Sequence, residues 1–161
     1  MKTTLTSSKR SGPSLKARAV SYLSRREHSR AELARKLAPY ADSAEEIESL
    51  LETLAKEGWQ SDDRYVQGVI HSKSTAQGTM RIVQTLKQQG ISDDQVAAVR
   101  AQLKDTEFER AQAVWAKRFG TKDLDHNATE YARQARFLAA RGFSHEIIRQ
   151  VLRHAAIDED V

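Results

Sequence analysis

The residues able to do chemistry are scattered along this chain of 161 residues. Five histidines stand at positions 28, 71, 126, 145 and 154, and no two fall at the i, i+4 spacing that sets a metal-binding pair on one helical face. Gly68, Gly78 and Gly90 each stand alone, without the Gly-Lys-Ser/Thr that completes a phosphate loop. Ser, Lys and Asp are plentiful, yet none has an identifiable base and oxyanion donor beside it, so no nucleophile is assembled. The absence of cysteine excludes disulfides and thiolate ligands and suits a reducing cytoplasm. The expectation is a non-enzyme with no cofactor and no metal.

What remains is electrostatic chemistry. Net charge is only +4, but residues 1–40 hold ten Lys/Arg against two Glu, whereas residues 41–63 hold eight acids against one Lys. Lys16, Arg18, Arg25, Arg26, Arg30, Arg35 and Lys36 crowd the basic stretch and are the first candidates for phosphate contact, with the salt dependence that this entails. The alternative is internal pairing with the acidic helix Glu45–Glu57. Lys73, Arg81 and Lys87 form a weaker basic set further on. Trp59 and Tyr65 carry rings that can stack on bases. Trp59, however, follows a helix-ending Gly as Ile91 and Phe143 do, and that position predicts packing.

The elements that must hold these residues are helices. Ala, Leu, Arg, Gln and Glu dominate, and there are only two prolines. No apolar run reaches the roughly 18 residues of a membrane span, and residues 1–13 lack the apolar centre of a secretion signal. Ser29-Arg-Ala-Glu32, Ser43-Ala-Glu-Glu46, Ser92-Asp-Asp-Gln95 and Thr106-Glu-Phe-Glu109 read as helix starts whose side chains satisfy free amides. Leu54-Ala-Lys-Glu-Gly-Trp, Leu86-Lys-Gln-Gln-Gly-Ile and Leu138-Ala-Ala-Arg-Gly-Phe read as helix ends. In each, a left-handed Gly turns an apolar residue back onto the last turn.

The units repeat. An offset of 49 carries Leu33, Leu37, Ser43, Ile47, Leu50 and Leu54 onto Ile82, Leu86, Ser92, Val96, Val99 and Leu103. An offset of 52 carries Leu86, Gly90, Ile91, Ser92, Val96 and Val99 onto Leu138, Gly142, Phe143, Ser144, Ile148 and Val151. The expectation is an all-α chain of three tandem three-helix modules, residues 14–60, 61–104 and 105–156, forming an elongated, curved helical-repeat protein. Residues 1–13 read as a disordered tail and residues 157–161 as an acidic one.

The assembled pattern resembles the RecX family, modulators of the RecA recombinase. Leu23-Ser-Arg-Arg-Glu-His-Ser-Arg-Ala-Glu-Leu-Ala-Arg-Lys-Leu37 is similar to the family's opening module. Gly58-Trp-Gln-Ser-Asp-Asp-Arg-Tyr-Val66 is similar to its junction between modules one and two. Gly78-Thr-Met-Arg-Ile82 with Leu86–Ile91 resembles the second-module signature, and Arg136-Phe-Leu-Ala-Ala-Arg-Gly-Phe143 with Ile148 resembles the third. The likeness spans residues 15–155. It implies a monomer lodged in the groove of the RecA–DNA filament, inhibiting recombinase, ATPase and coprotease activities. Single- or double-stranded DNA would be bound only weakly by the chain alone, and no membrane would be involved. Ser74-Thr-Ala-Gln77 departs from the family, which often places more Arg or Lys there, and leaves Lys73, Arg81 and Lys87 as the second module's contacts. Two other classes fit the residues by themselves: a stand-alone, sequence-tolerant DNA-binding protein, and a helical-repeat protein–protein adaptor.

Overall fold

The computed structural model describes residues 12–120 and 127–158. Of the two expected tails, residues 1–11 and 159–161 lie outside the described residues, whereas Ile157 and Asp158 continue the last helix. Among the described residues there are nine α-helices and no strand. They are α1 (Leu15–Arg25), α2 (Arg30–Leu37), α3 (Ala44–Lys56), α4 (Asp62–Lys73), α5 (Thr79–Gln88), α6 (Asp93–Lys104), α7 (Glu107–Phe119), α8 (Ala128–Ala140) and α9 (His145–Asp158), with a single 3₁₀ turn at Ala38–Tyr40. The chain divides into two units, residues 1–61 and residues 62–161.

In the first unit the helix starts follow from serine. The hydroxyls of Ser14, Ser29 and Ser43 accept from the amides of Ala17, Glu32 and Glu46, each at 3.1 Å, satisfying a donor that has no partner inside the helix. Glu46 completes the exchange one residue early, its carboxylate accepting from the Asp42 amide at 2.8 Å. Pro39 lies in the 3₁₀ turn, where its fixed φ is tolerated and its missing N–H is not needed. Ala19, Leu33, Leu37, Leu51 and Leu54 close into one core between α1, α2 and α3.

The second unit holds two cores. Tyr65, Val66, Ile70, Ile82, Val83, Leu86, Ile91, Val96, Val99 and Leu103 pack together from α4, α5 and α6. Ala111, Val114, Leu138, Phe143, Ile148, Val151 and Leu152 do so from α7, α8 and α9. At the centre of each core the offsets connect residues of the same burial: Leu33, Ile82, Leu37, Leu86 and Leu138 are all fully buried. Gly58, Gly90 and Gly142 take φ of +79°, +74° and +94°, and the next residue's amide returns to the carbonyl of Leu54, Leu86 or Leu138 at 2.9–3.2 Å.

Two expectations differ from the structure. Thr106 makes no capping bond. Its backbone is already helical, because only two residues separate α6 from α7, and its hydroxyl is drawn instead to the Leu103 carbonyl (3.3 Å) and Arg110 Nε (3.2 Å). Trp59 shares the backbone turn of Ile91 and Phe143 but not their burial: it is 43% exposed, against 5% and 3%. In the first unit Gln60 takes the inward place, donating through Nε2 to the His28 carbonyl at 3.3 Å.

Within the second unit α4–α6 and α7–α9 meet backbone to backbone. The Gly78 amide, at the start of α5, donates to the Arg141 carbonyl (2.7 Å), and the Met80 amide to the Gly142 carbonyl (3.2 Å). The end of one helix thus caps the start of another. Arg110 on α7 crosses the same junction. Its guanidinium donates to the Ser74 and Gln77 carbonyls (3.0 and 2.7 Å) and to Thr79 Oγ1 (3.1 Å). Burial lowers its pKa and Glu107 opposes that shift, but an arginine this far from neutrality stays charged.

Candidate functional site

The basic cluster of the first unit resolves into pairs. At the turn from α1 to α2, Arg26 grips the Glu32 carboxylate with both terminal nitrogens, Nη1 at 3.1 Å and Nη2 at 2.5 Å. Burial pushes the Glu32 carboxyl up, but the hydrogen bonds and charge of Arg26, joined by the charges of His28 and Lys36, outweigh it and hold the group below its ordinary pKa. His28 is buried beside this pair. Its Nδ1 donates to the Arg26 carbonyl (3.0 Å), so its Nε2 is left to accept from Lys36 Nζ (3.1 Å). Burial, then the charges of Arg26 and Lys36, lower the imidazole pKa, against the opposing backbone bond to Arg26 and the charge of Glu32. Lys36 also stands 5.2 Å from the centroid of Tyr22. Arg26 and Lys36 are thus committed to holding the turn.

Two further cations reach the acidic helix α3, as the internal-pairing alternative expects. Lys16 Nζ is 3.0 Å from Glu57, and Arg30 pairs with Glu48. Pairs this exposed are worth at most about 1 kcal/mol and exchange readily for another anion.

Arg18 and Arg25 have a different setting. They lie two turns apart on α1 and, with Pro13, Ala17, Ser21 and Tyr22, line an open cavity of about 220 Å³. None of these lining residues is acidic. Arg18 is held over Tyr40, its Cζ 3.8 Å from the ring centroid, so one guanidinium is pre-positioned at low entropic cost. Arg35 is exposed on α2. This face can accept an anion.

In the second unit Lys73 and Lys87 are exposed, and Arg81 turns toward the junction, donating from Nη1 to the Ala140 carbonyl at 3.3 Å. The structure therefore brings Arg18 and Arg25 together and ties Arg26 and Lys36 inward. Sequence reasoning singled out no residue of α7–α9 as a candidate contact for a partner. The signal there was present as Lys117-Arg118-Phe119 and the Arg133, Phe137, Arg141 spacing of four. Among the described residues no group of His, Asp and Glu is placed to hold a metal, and no helix is long and apolar enough to cross a membrane.

Comparison with known proteins shows what the chain as a whole is similar to. Residues 16–54 match the model of the first three-helix domain of RecX, and residues 105–152 match that of its third. Over 142 residues the chain is 49% identical to the regulatory protein RecX of Ralstonia nicotianae, covering 88% of each chain. Over 147 residues it is 49% identical to that of Leptothrix cholodnii, covering 91% of this chain and 92% of the relative. The fold is that of a crystal structure of RecX from Lactobacillus salivarius, with a TM-score of 0.76 at 19% identity over 89% of this chain and 95% of that one.

Proposed function

The chain belongs to the RecX family of regulatory proteins, and from that premise we propose that it binds in the groove of the RecA–DNA filament and lowers recombinase, ATPase and coprotease activities. The observation that carries this reading is the cation-lined face of α1, which offers Arg18 and Arg25 to an anion without an acidic neighbour in its lining. Lys16 and Arg30 join them when the filament's phosphates displace Glu57 and Glu48. Arg35 extends the contact on α2, and Lys73, Arg81 and Lys87 supply the second module's share. Arg26 and Lys36 act from behind, by fixing the turn that carries the face.

Tandem modules suit such a target. Each contact is weak, but several made at once on an assembled filament raise the effective concentration of the next. Affinity for filament then exceeds affinity for free recombinase by orders of magnitude.

The test is RecA ATPase on single-stranded DNA with this protein titrated in, and filament cosedimentation on the same samples. Loss of ATPase at substoichiometric protein, with cosedimentation, is the expected result. Unchanged ATPase without cosedimentation rejects the reading.

A further inference from the structure

The most concentrated positive surface outside the first module lies on α7 and α8, and it is built on aromatic rings. Phe119, at the end of α7, and Phe137, on α8, meet edge to face with centroids 5.3 Å apart. Three arginines stand around them. Arg118 and Arg141 hold their Cζ atoms 5.8 and 5.0 Å from the Phe137 centroid, and Arg133 holds its own 5.3 Å from that of Phe119. Arg133, Phe137 and Arg141 recur at every fourth residue and so share one face of the helix. Arg136, one turn on from Arg133, and Lys117, beside Arg118, add exposed positive charge.

Glu130 on α8 is a carboxylate beside this face. It accepts from the Arg133 guanidinium at 2.8–3.3 Å and from Gln134 Nε2 at 3.2 Å. No carboxylate pairs with Arg118 or Arg141 among the described residues. Burial does not account for them either: Arg118 is exposed and Arg141 only half-buried. Arg141 is further fixed through its backbone, whose carbonyl receives the Gly78 amide at the junction. Arg118 and Arg141 are thus planar cations beside a ring face with donor edges turned to an outside acceptor, whereas Arg133 is engaged by Glu130.

We propose that this arginine–aromatic face of the third module is a second binding surface, and that its ligand is the phosphodiester backbone of a nucleic acid, bound without regard to base sequence. Guanidinium forks match phosphate oxygens two at a time. Phe119 is buried and Phe137 half-buried beneath the arginines, so neither ring is offered to a base. This separates the face from a base-stacking platform. The inference needs no recombinase and stands apart from the filament reading.

The experiment is fluorescence anisotropy of a labelled thirty-nucleotide oligo(dT) and of a duplex of equal length, titrated with the full chain from low to moderate salt. The double variant Arg118→Gln/Arg141→Gln is compared with wild type and with Arg118→Lys/Arg141→Lys. Expected is a Kd raised about tenfold or more at low salt in the Gln variant. The slope of log K against log salt falls by about 0.7 per lost contact on the single strand and about 0.9 on the duplex. The Lys variant retains the slope. Circular dichroism and thermal melting establish that both variants fold, and if the Gln variant does not, Arg118→Gln alone is read. Three results overturn the proposal: wild type without measurable affinity for either probe at low salt, unchanged affinity and slope in the folded Gln variant, or unchanged DNA binding with filament cosedimentation lost. The last would make the face a docking surface for protein. Loss of DNA binding with ATPase inhibition intact would support this face while leaving the filament reading untouched.

Discussion

Three glycines separate backbone strain from close contact, and alanine at each gives a different cost. Gly58 sits at φ +79° with nothing within 4 Å of an added Cβ, so Gly58→Ala carries strain alone, about 1–2 kcal/mol. Gly78 has an ordinary φ of −76°, but its Cβ would lie 2.3 Å from both the carbon and the oxygen of the Gly142 carbonyl. Those are backbone atoms and cannot swing aside as a side chain would. The two segments must separate by about 1 Å to restore normal contact. That separation breaks the bonds from Gly78 to Arg141 and from Met80 to Gly142, each worth about 1 kcal/mol net and more where the groups stay buried. Gly78→Ala therefore costs about 2–4 kcal/mol without any strain. Gly142→Ala suffers both effects: φ is +94°, and its Cβ would lie 2.4 Å from Arg81 Cβ and 2.7 Å from Arg81 N, so about 3–5 kcal/mol is expected. The assay is urea unfolding followed by circular dichroism, each variant judged against the transition of its own unit. Native-state amide exchange at Gly78 and Met80 is read alongside, because those two protons lose protection first if the junction opens. Gly78→Ala within about 0.5 kcal/mol of wild type, or Gly142→Ala no costlier than Gly58→Ala, would refute the reasoning.

Other perturbations test the remaining contacts. Arg110→Ala removes the donor to the Ser74 and Gln77 carbonyls and Thr79 Oγ1, so a loss of about 3 kcal/mol is expected by urea unfolding. Arg110→Lys should recover less than half, because an ammonium cannot span three acceptors as a fork does; full recovery would show that geometry is irrelevant there. The His28 pKa lies below the 6.5 of a free imidazole, so below that pH the unfolded chain binds the proton more readily than the folded one. Stability of the first unit is thus complete above pH 6.5 and falls as pH drops toward the folded pKa. His28→Gln should flatten melting temperature between pH 7.5 and 5.5, and an equal decline in both proteins would remove His28 as the cause. Substituting Arg18 and Arg25 together by Gln should lower the salt slope of filament binding by about 1–2, measured by cosedimentation across a salt series; an unchanged slope would clear the α1 face of phosphate contact.

Much of the helical framework was legible in the chain because it depends on short-range rules. A serine hydroxyl reaches an amide three residues on, an apolar stripe recurs every three or four residues, and a left-handed glycine returns the chain onto the last turn. All three operate within one element, so Ser29, Ser43 and Ser92 start helices where their spacing says they should. The same is true of Gly58, Gly90 and Gly142 as stops, and of the offsets of 49 and 52 as a map of the cores. Thr106 marks the limit of such rules, since a cap needs a break between helices and the chain there hardly breaks.

What only the tertiary structure decided is which partner each side chain chose. Nothing within a few residues of Trp59 says that Gln60 will take the inward place by bonding the His28 carbonyl, 32 positions away. The basic cluster read as one surface, yet Lys36 turned to a buried imidazole and Arg26 to Glu32, because each unmet buried group costs more than a solvated cation returns. Arg81 meets the Ala140 carbonyl across 59 positions, and Arg110 meets Gln77 across 33. Such contacts are set by the docking of whole helices. Local propensity and periodicity determined the helices of this protein from sequence alone, whereas the charges available to a partner were decided only when packing had consumed the others.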